Sequence, residues 1–389
     1  MVDYVMKGSV RYWGLLGFLG LLGVVGLLAY LRQFTVGLTV TGMSRDVTWG
    51  LYVSQFTFLV GVAASAVMVV LPYYLHNYKA FGKMVILGEF LAVPAVMMCL
   101  LFILADLGQP TNMFSLLEYP TPGAVMFWDM IVLNGYMFVN LVIGFVTLFA
   151  EYRGIAAPRW IRPMVYFSIP LAVSIHTVTA FLFAGLAARP FWMTAILAPR
   201  FLASAFASGP SLLIILALLL RKFTKFDPGK EAIQKLGTIV TYALLINIFF
   251  VVVELFTVFY PGMPHHTHNF EYLFAGYGGK GALVPWMWIS AIMTICSASL
   301  LIFPSIRKKE NILFGICFLV IAAIWIEKGL GMVIAGFIPS PLGAVTEYAP
   351  TGIEILVTLG IYGIGFSVLT VLYKIAIGVR EAKMKVEAS

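Results

Sequence analysis

Asp106-Leu107-Gly108-Gln109-Pro110 opens a segment that runs through Glu118-Tyr119-Pro120-Thr121-Pro122 and closes on Phe127-Trp128-Asp129. It lies between two apolar runs, 84–105 and 125–150, each reaching the roughly 20 residues a helix needs to cross bilayer hydrocarbon. The carboxylates of Asp106 and Asp129 stand where those runs meet water. A carboxylate costs about 2.5–3.5 kcal/mol at the centre of a membrane helix and less toward the interface, so it is seldom kept without a partner or a task. Proline and glycine give the connecting loop a defined shape. The turn between these two runs is therefore the first candidate for a working face.

Outward from this turn the same pattern repeats. Apolar runs fall at 13–31, 49–75, 84–105, 125–150, 163–188, 201–220, 236–260, 283–304, 312–337 and 353–375. With 61% hydrophobic and 11% charged residues and a mean hydropathy of +0.98, the 389-residue chain is no soluble globule, whose charged fraction is about 25%. The fold class is all-α: a polytopic membrane protein of ten transmembrane helices, one integral membrane domain over 1–389. Ten spans put both termini on one side. Of the 25 Lys and Arg residues, 19 lie on that side, 5 (Arg32, Arg45, Arg189, Arg200, Lys280) lie opposite, and Lys328 is inside span nine. The positive-inside rule makes both termini cytoplasmic. The net charge of +8 is thus a topology signal and no footprint of nucleic acid. The first run, preceded by Lys7 and Arg11, reads as a retained anchor followed by nine further spans. Cys99, Cys296 and Cys317 all lie within spans without paired spacing and read as core residues.

Polar residues inside the spans carry the chemistry. Glu89 lies a turn or two into span three, where it snorkels, pairs with Lys83 or serves protons. Span four holds Asp129, Asn134 and Asn140, a polar seam directed into the bundle. His176 in span five either donates to a backbone carbonyl or carries protons and binds a head group, since imidazole titrates near neutral pH. The small-residue opening of span six, Ala203-Ser204-Ala205-Phe206-Ala207-Ser208-Gly209, lets its backbone approach another helix or a flat ligand. Glu254 shares a face with Asn247 in span seven. Glu327 and Lys328 sit together in span nine; about 100° apart on a helix, each needs its own partner, and Lys328 could neutralise an acid from another helix. Glu354 stands at the outer edge of span ten. Trp49 is either an interfacial aromatic or part of a binding mouth with Arg45 and Asp46. His265, His266 and His268 lack a carboxylate or cysteine at ligand spacing and read as a solvated loop. The glycines of span one, Gly14, Gly17, Gly20, Gly23 and Gly26, allow close helix packing, within this chain or against another subunit.

Trp49-Gly50, Asp106-Leu107-Gly108-Gln109-Pro110, Trp128-Asp129, His176 and Ala198-Pro199 to Ser204-Ala205 together resemble the NrfD/PsrC family of integral quinone-interacting subunits. Ten spans and the 45–52 segment are most similar to the members found in the high-molecular-weight cytochrome complex, and in the related sulfite-reductase-linked complex, of sulfate-reducing bacteria. The resemblance implies two four-helix bundles, spans two to five and six to nine, with flanking helices. It implies a subunit without haem or iron–sulfur cluster that binds quinone, here menaquinone. Its partners would be a periplasmic-side iron–sulfur subunit, a multihaem cytochrome c and other integral membrane subunits in the bacterial inner membrane. Trp49, Asp106, Asp129, His176 and Ser204 would form the quinone site. Glu89, Glu254, Glu327 and Lys328, at different depths, would form a discontinuous proton path. An ion-coupled transporter, with midplane acids binding cation and substrate, is the competing reading.

Overall fold

A computed structural model describes residues 2–387. Ten helices long and apolar enough to cross a membrane are present among them: α1 Val10–Val36, α2 Leu51–Leu75, α3 Gly82–Asp106, α4 Val125–Arg153, α5 Ile161–Ala184, α6 Leu197–Phe223, α7 Lys230–Phe259, α8 Val284–Ile302, α9 Glu310–Ala335 and α10 Gly352–Glu387. Several overshoot their apolar runs. The seventh begins at Lys230 where hydropathy puts 236, and the last continues to Glu387, beyond 375. A helix satisfies its own backbone, so it continues into water for as long as no residue breaks it. Chain breaks come from local chemistry: Gly154 takes the left-handed conformation (φ 66°) that ends α4.

Helices α2 to α5 form one bundle and α6 to α9 a second, joined along α2, α5 and α6. The α1–α10 pair packs outside against α3. Apolar residues run all round α2 and α3, which is the signature of a helix buried on every side. Accordingly 78% of the apolar window of the third span is buried, against 17% for α1. The glycines of α1 divide between the two expected tasks. A Cβ on Gly26 would stand 2.4 Å from the Gly360 Cα, so α1 and α10 meet backbone to backbone there, whereas Gly14, Gly17 and Gly20 have open space among the described residues. The small-residue face of α6 lies against α2: a Cβ on Gly209 would come within 2.8 Å of the Ser65 side chain.

Three expectations are corrected by the packing. Asn134 faces outward and donates to its own helix at Met130, so the polar seam of α4 comprises Asp129 and Asn140 only. Cys296 is on the outward side of α8, while Cys99 and Cys317 are core residues. Glu89 neither snorkels nor pairs with Lys83. It is buried, its Oε2 has no hydrogen-bond partner among the described residues, and Lys83 donates to the Asp227 carbonyl instead.

Candidate functional site

The first turn of α4 sorts its aromatic and its acid. Trp128 faces out and ties back to the loop through Nε1 donating to the Pro122 carbonyl at 2.8 Å, which turns Asp129 into the bundle. There Asp129 Oδ1 lies 2.7 Å from the Thr179 hydroxyl of α5. That hydroxyl also stands 2.7 Å from the Ile175 carbonyl, and it has a single hydrogen. Either it donates to a charged Asp129, or it donates to Ile175 and accepts a hydrogen bond from a protonated Asp129. The hydroxyl can therefore turn between two acceptors, one arrangement for each protonation state of Asp129.

His176 precedes Thr179 by one turn on the same buried face of α5, which continues through Ala172 inward and Phe183 outward. Its Nδ1 is 3.1 Å from the Ala172 carbonyl. A carbonyl only accepts, so Nδ1 carries the hydrogen and the neutral ring presents the lone pair of Nε2. Nε2 is buried and has no hydrogen-bond partner among the described residues. The backbone-carbonyl reading of this histidine thus holds for Nδ1, while Nε2 is left without a hydrogen bond among the described residues.

Toward the C-terminal end of α5 lies an aromatic cluster. Trp49 stacks on Trp192 at 5.6 Å and meets Phe183 and Phe337 edge-on at 5.3 and 5.7 Å. Trp192 is fixed by Nε1 donating to the Met332 carbonyl at 2.9 Å. Trp49 is accordingly a wall between the two bundles, half-buried, and not a free interfacial ring. Phe183 continues the contact to Phe201 of α6, 6.0 Å away.

Phe201 leads into the second bundle. Its carbonyl accepts from Ser204 Oγ at 2.9 Å and from Lys328 Nζ at 3.3 Å, and its ring lies under the same ammonium at 4.2 Å. Beside it, Arg200 forks to Glu254 through one terminal nitrogen and to Glu327 through the other. Leu197, Arg200, Phe201, Ser204, Glu327, Lys328 and Met332 line one small cavity. Arg200 thus serves both carboxylates, while Lys328 has a backbone carbonyl and an aromatic face as its partners. Residues Trp325–Gly331 form a π-helical segment in α9. Such single-turn widenings recur at functional sites, and this one delivers Glu327 to Arg200 and Lys328 to Phe201.

Two predicted residues lie elsewhere. Asp106, with Oδ1 buried and unpartnered, has Tyr52 and Glu354 as its ionisable neighbours, and no hydrogen bond joins it to Asp129 or Trp49 among the described residues. Glu89 is in the N-terminal half of α3. Glu354 is structural: it accepts from Gly42 N at 2.7 Å, Thr351 N at 2.8 Å and Tyr348 OH at 2.5 Å, tying α10 to the loop before α2. Burial, then this carboxylate, push the Tyr348 phenol far above its ordinary pKa. The loop histidines lie on a short helix, Pro264–Phe274, with His268 stacked on Tyr277 at 4.5 Å.

Sequence reading missed Arg200 and Thr179. Arg200 counted as a loop charge because the apolar run starts at 201, yet the helix begins at Leu197 and carries Arg200 within its first turn. The reading that Lys328 neutralises an acid is corrected in consequence, since Arg200 fills that role. Thr179 offers no signal beyond its one-turn spacing from His176.

The family model described as "Polysulphide reductase, NrfD" matches residues 39–338. The chain belongs to the NrfD family. The match takes in both bundles and every site residue above, and leaves α1 and α10 as flanking helices. Among curated NrfD-like relatives, a protein of Halobacterium salinarum assigned as a membrane subunit of a dimethyl sulfoxide reductase is 26% identical over 87% of this chain and 85% of its own length. A selenate reductase subunit of Mesobacillus selenatarsenatis is 23% identical over 74% and 73%. An Hdr-like menaquinol oxidoreductase integral membrane subunit of Archaeoglobus fulgidus is 22% identical over 68% and 65%.

Proposed function

We propose that this chain is the quinone-binding membrane subunit of a multi-subunit respiratory oxidoreductase, using menaquinone. It would exchange electrons with an iron–sulfur subunit on its outer face and a multihaem cytochrome c beyond. The observation that carries the reading is the buried pair of His176 Nε2, an acceptor without a hydrogen-bond partner among the described residues, and the Asp129–Thr179 contact one turn away. Quinone chemistry exchanges two protons with two electrons, which requires groups at the ring oxygens that take up and release protons. His176 Nε2 accepts the hydrogen of a quinol hydroxyl. Asp129 takes or gives a proton while Thr179 turns between it and the Ile175 carbonyl. Trp49, with Trp192 and Phe183, closes the outer side and excludes water, and Ser204 belongs to the wall facing the second bundle. Asp106 would guard the outer approach by α2 rather than touch the head group.

Glu89, Glu254, Glu327 and Lys328 are the protonatable groups between this site and the two surfaces. Glu89, with a free oxygen in the inner half, and Lys328, between the bundles, are the freer members; Glu254 and Glu327 are held by Arg200. The reading assigns the chain no haem or cluster of its own, because the other histidines, His76, His265, His266 and His268, lie at or beyond the helix ends. It places the protein in the bacterial inner membrane with both termini cytoplasmic. Family membership favours it over the transporter reading.

The test uses the assembled complex. Asp129→Asn and His176→Ala should each assemble normally and lower quinol-linked electron transfer about a hundred-fold or more, from the low end of the about 10²–10⁴-fold range of acid–base contributions. If either variant assembles and keeps the full rate, that residue has no role at the quinone.

A further inference from the structure

Where α6 ends and α9 begins, the surface passes from apolar to basic within one helical turn. Leu218, Leu219 and Leu220 of α6 are followed by Arg221 and Lys222, and Ile312, Leu313 and Phe314 of α9 are preceded by Lys308, Lys309, Glu310 and Asn311. Two cavities adjoin here. One, of about 540 Å³, is lined by Arg221, Lys230, Lys308, Lys309, Glu310 and Asn311. The other, of about 330 Å³, shares Arg221, Glu310 and Asn311 but is floored by Leu218, Leu219 and Phe314.

The charges in the first cavity are four cations against one carboxylate. That carboxylate is committed, because Arg221 holds both Glu310 oxygens and also comes within 4.0 Å of Asp227. The nearby Glu231 accepts from the Tyr78 hydroxyl at 2.7 Å. Lys230, Lys308 and Lys309 are exposed and have no carboxylate partner among the described residues. The α9 N-terminus between them has no side-chain cap, so its first N–H groups add to the same positive field.

We propose that this double cavity binds an anionic phospholipid of the adjacent leaflet. The phosphate and its glycerol lie among Lys230, Lys308 and Lys309, and the upper acyl carbons lie along Leu218, Leu219 and Phe314. Basic pockets between membrane helices on this side recognise such head groups. The apolar groove decides for a lipid, since a soluble anion makes no use of it. Arg221 and Glu310 mark the boundary between the two parts and hold α6 against α9. The inference is independent of the quinone reading.

The experiment uses the full chain, purified in detergent with any subunits that co-purify, stripped of lipid and titrated with phosphatidylglycerol or phosphatidylcholine under native mass spectrometry. Phosphatidylglycerol should bind in preference. Lys308→Ala with Lys309→Ala should weaken it about thirty-fold, each cation near an anionic lipid being worth roughly a factor of five. Lys308→Arg with Lys309→Arg should restore it. Equal binding of phosphatidylcholine, unchanged binding in the alanine pair, or displacement of the lipid by millimolar inorganic phosphate would each overturn the proposal.

Discussion

Replacing Arg200 by glutamine should destabilise this protein more than any other single change to its buried charges. The guanidinium is the shared partner of Glu254 and Glu327, and the three side chains are 13%, 5% and 13% exposed. Removing one partner from a buried ion pair costs about 3–5 kcal/mol, most of it from the charge left behind. Arg200→Gln leaves two such carboxylates on one lost partner, facing each other, so its cost should reach or pass about 5 kcal/mol. Glu327→Gln leaves Arg200 paired with Glu254 and keeps an oxygen for the second guanidinium nitrogen. It should cost no more than about 3 kcal/mol, the low end of that range. A triple change, Arg200→Met with Glu254→Gln and Glu327→Gln, removes every charge in the fork and should recover most of the loss. The assay is thermal unfolding of the solubilised complex, followed by reaction of the buried thiols Cys99 and Cys317 after the outward-facing Cys296 is replaced by serine. The reasoning fails if Arg200→Gln unfolds no earlier than Glu327→Gln, or if the triple variant is no more stable than Arg200→Gln.

Three further outcomes are expected. Thr179→Val, nearly isosteric, should leave assembly intact yet slow quinol-linked turnover about as much as Asp129→Asn; a full rate would remove the Thr179 hydroxyl from the mechanism. Gly26→Leu should prise α1 from α10, since even a Cβ there meets the Gly360 backbone at 2.4 Å, while Gly17→Leu, with open space, should not; limited proteolysis of the α1–α2 loop reports the difference, and equal sensitivity would refute the close approach. Labelling of single cysteines in a cysteine-free background should find residues of the α6–α7 loop, such as Lys225, accessible only from the cytoplasm; periplasmic labelling would reverse every assignment of sides.

Hydropathy and charge, read along the chain, determined the ten crossings, their order and the side bearing the excess of Lys and Arg. These depend on each segment's own transfer from water to lipid, a property that needs no neighbour. The same logic singled out Asp129, His176, Glu254 and Glu327, because an ionisable group in hydrocarbon is conspicuous wherever it falls. What each of them touches was decided only by the tertiary structure. The Thr179 hydroxyl comes from 50 residues beyond Asp129, and Arg200 reaches Glu327 across 127. A π-helical segment at Trp325–Gly331 shifts the facing that regular helical spacing gives Glu327 and Lys328. Asp106 and Asp129 share one loop in the sequence, yet Asp129 meets Thr179 of α5 while the buried Oδ1 of Asp106 has no partner among the described residues. Which helices become neighbours depends on close packing of side chains far apart in sequence, and that information is not carried by any one segment.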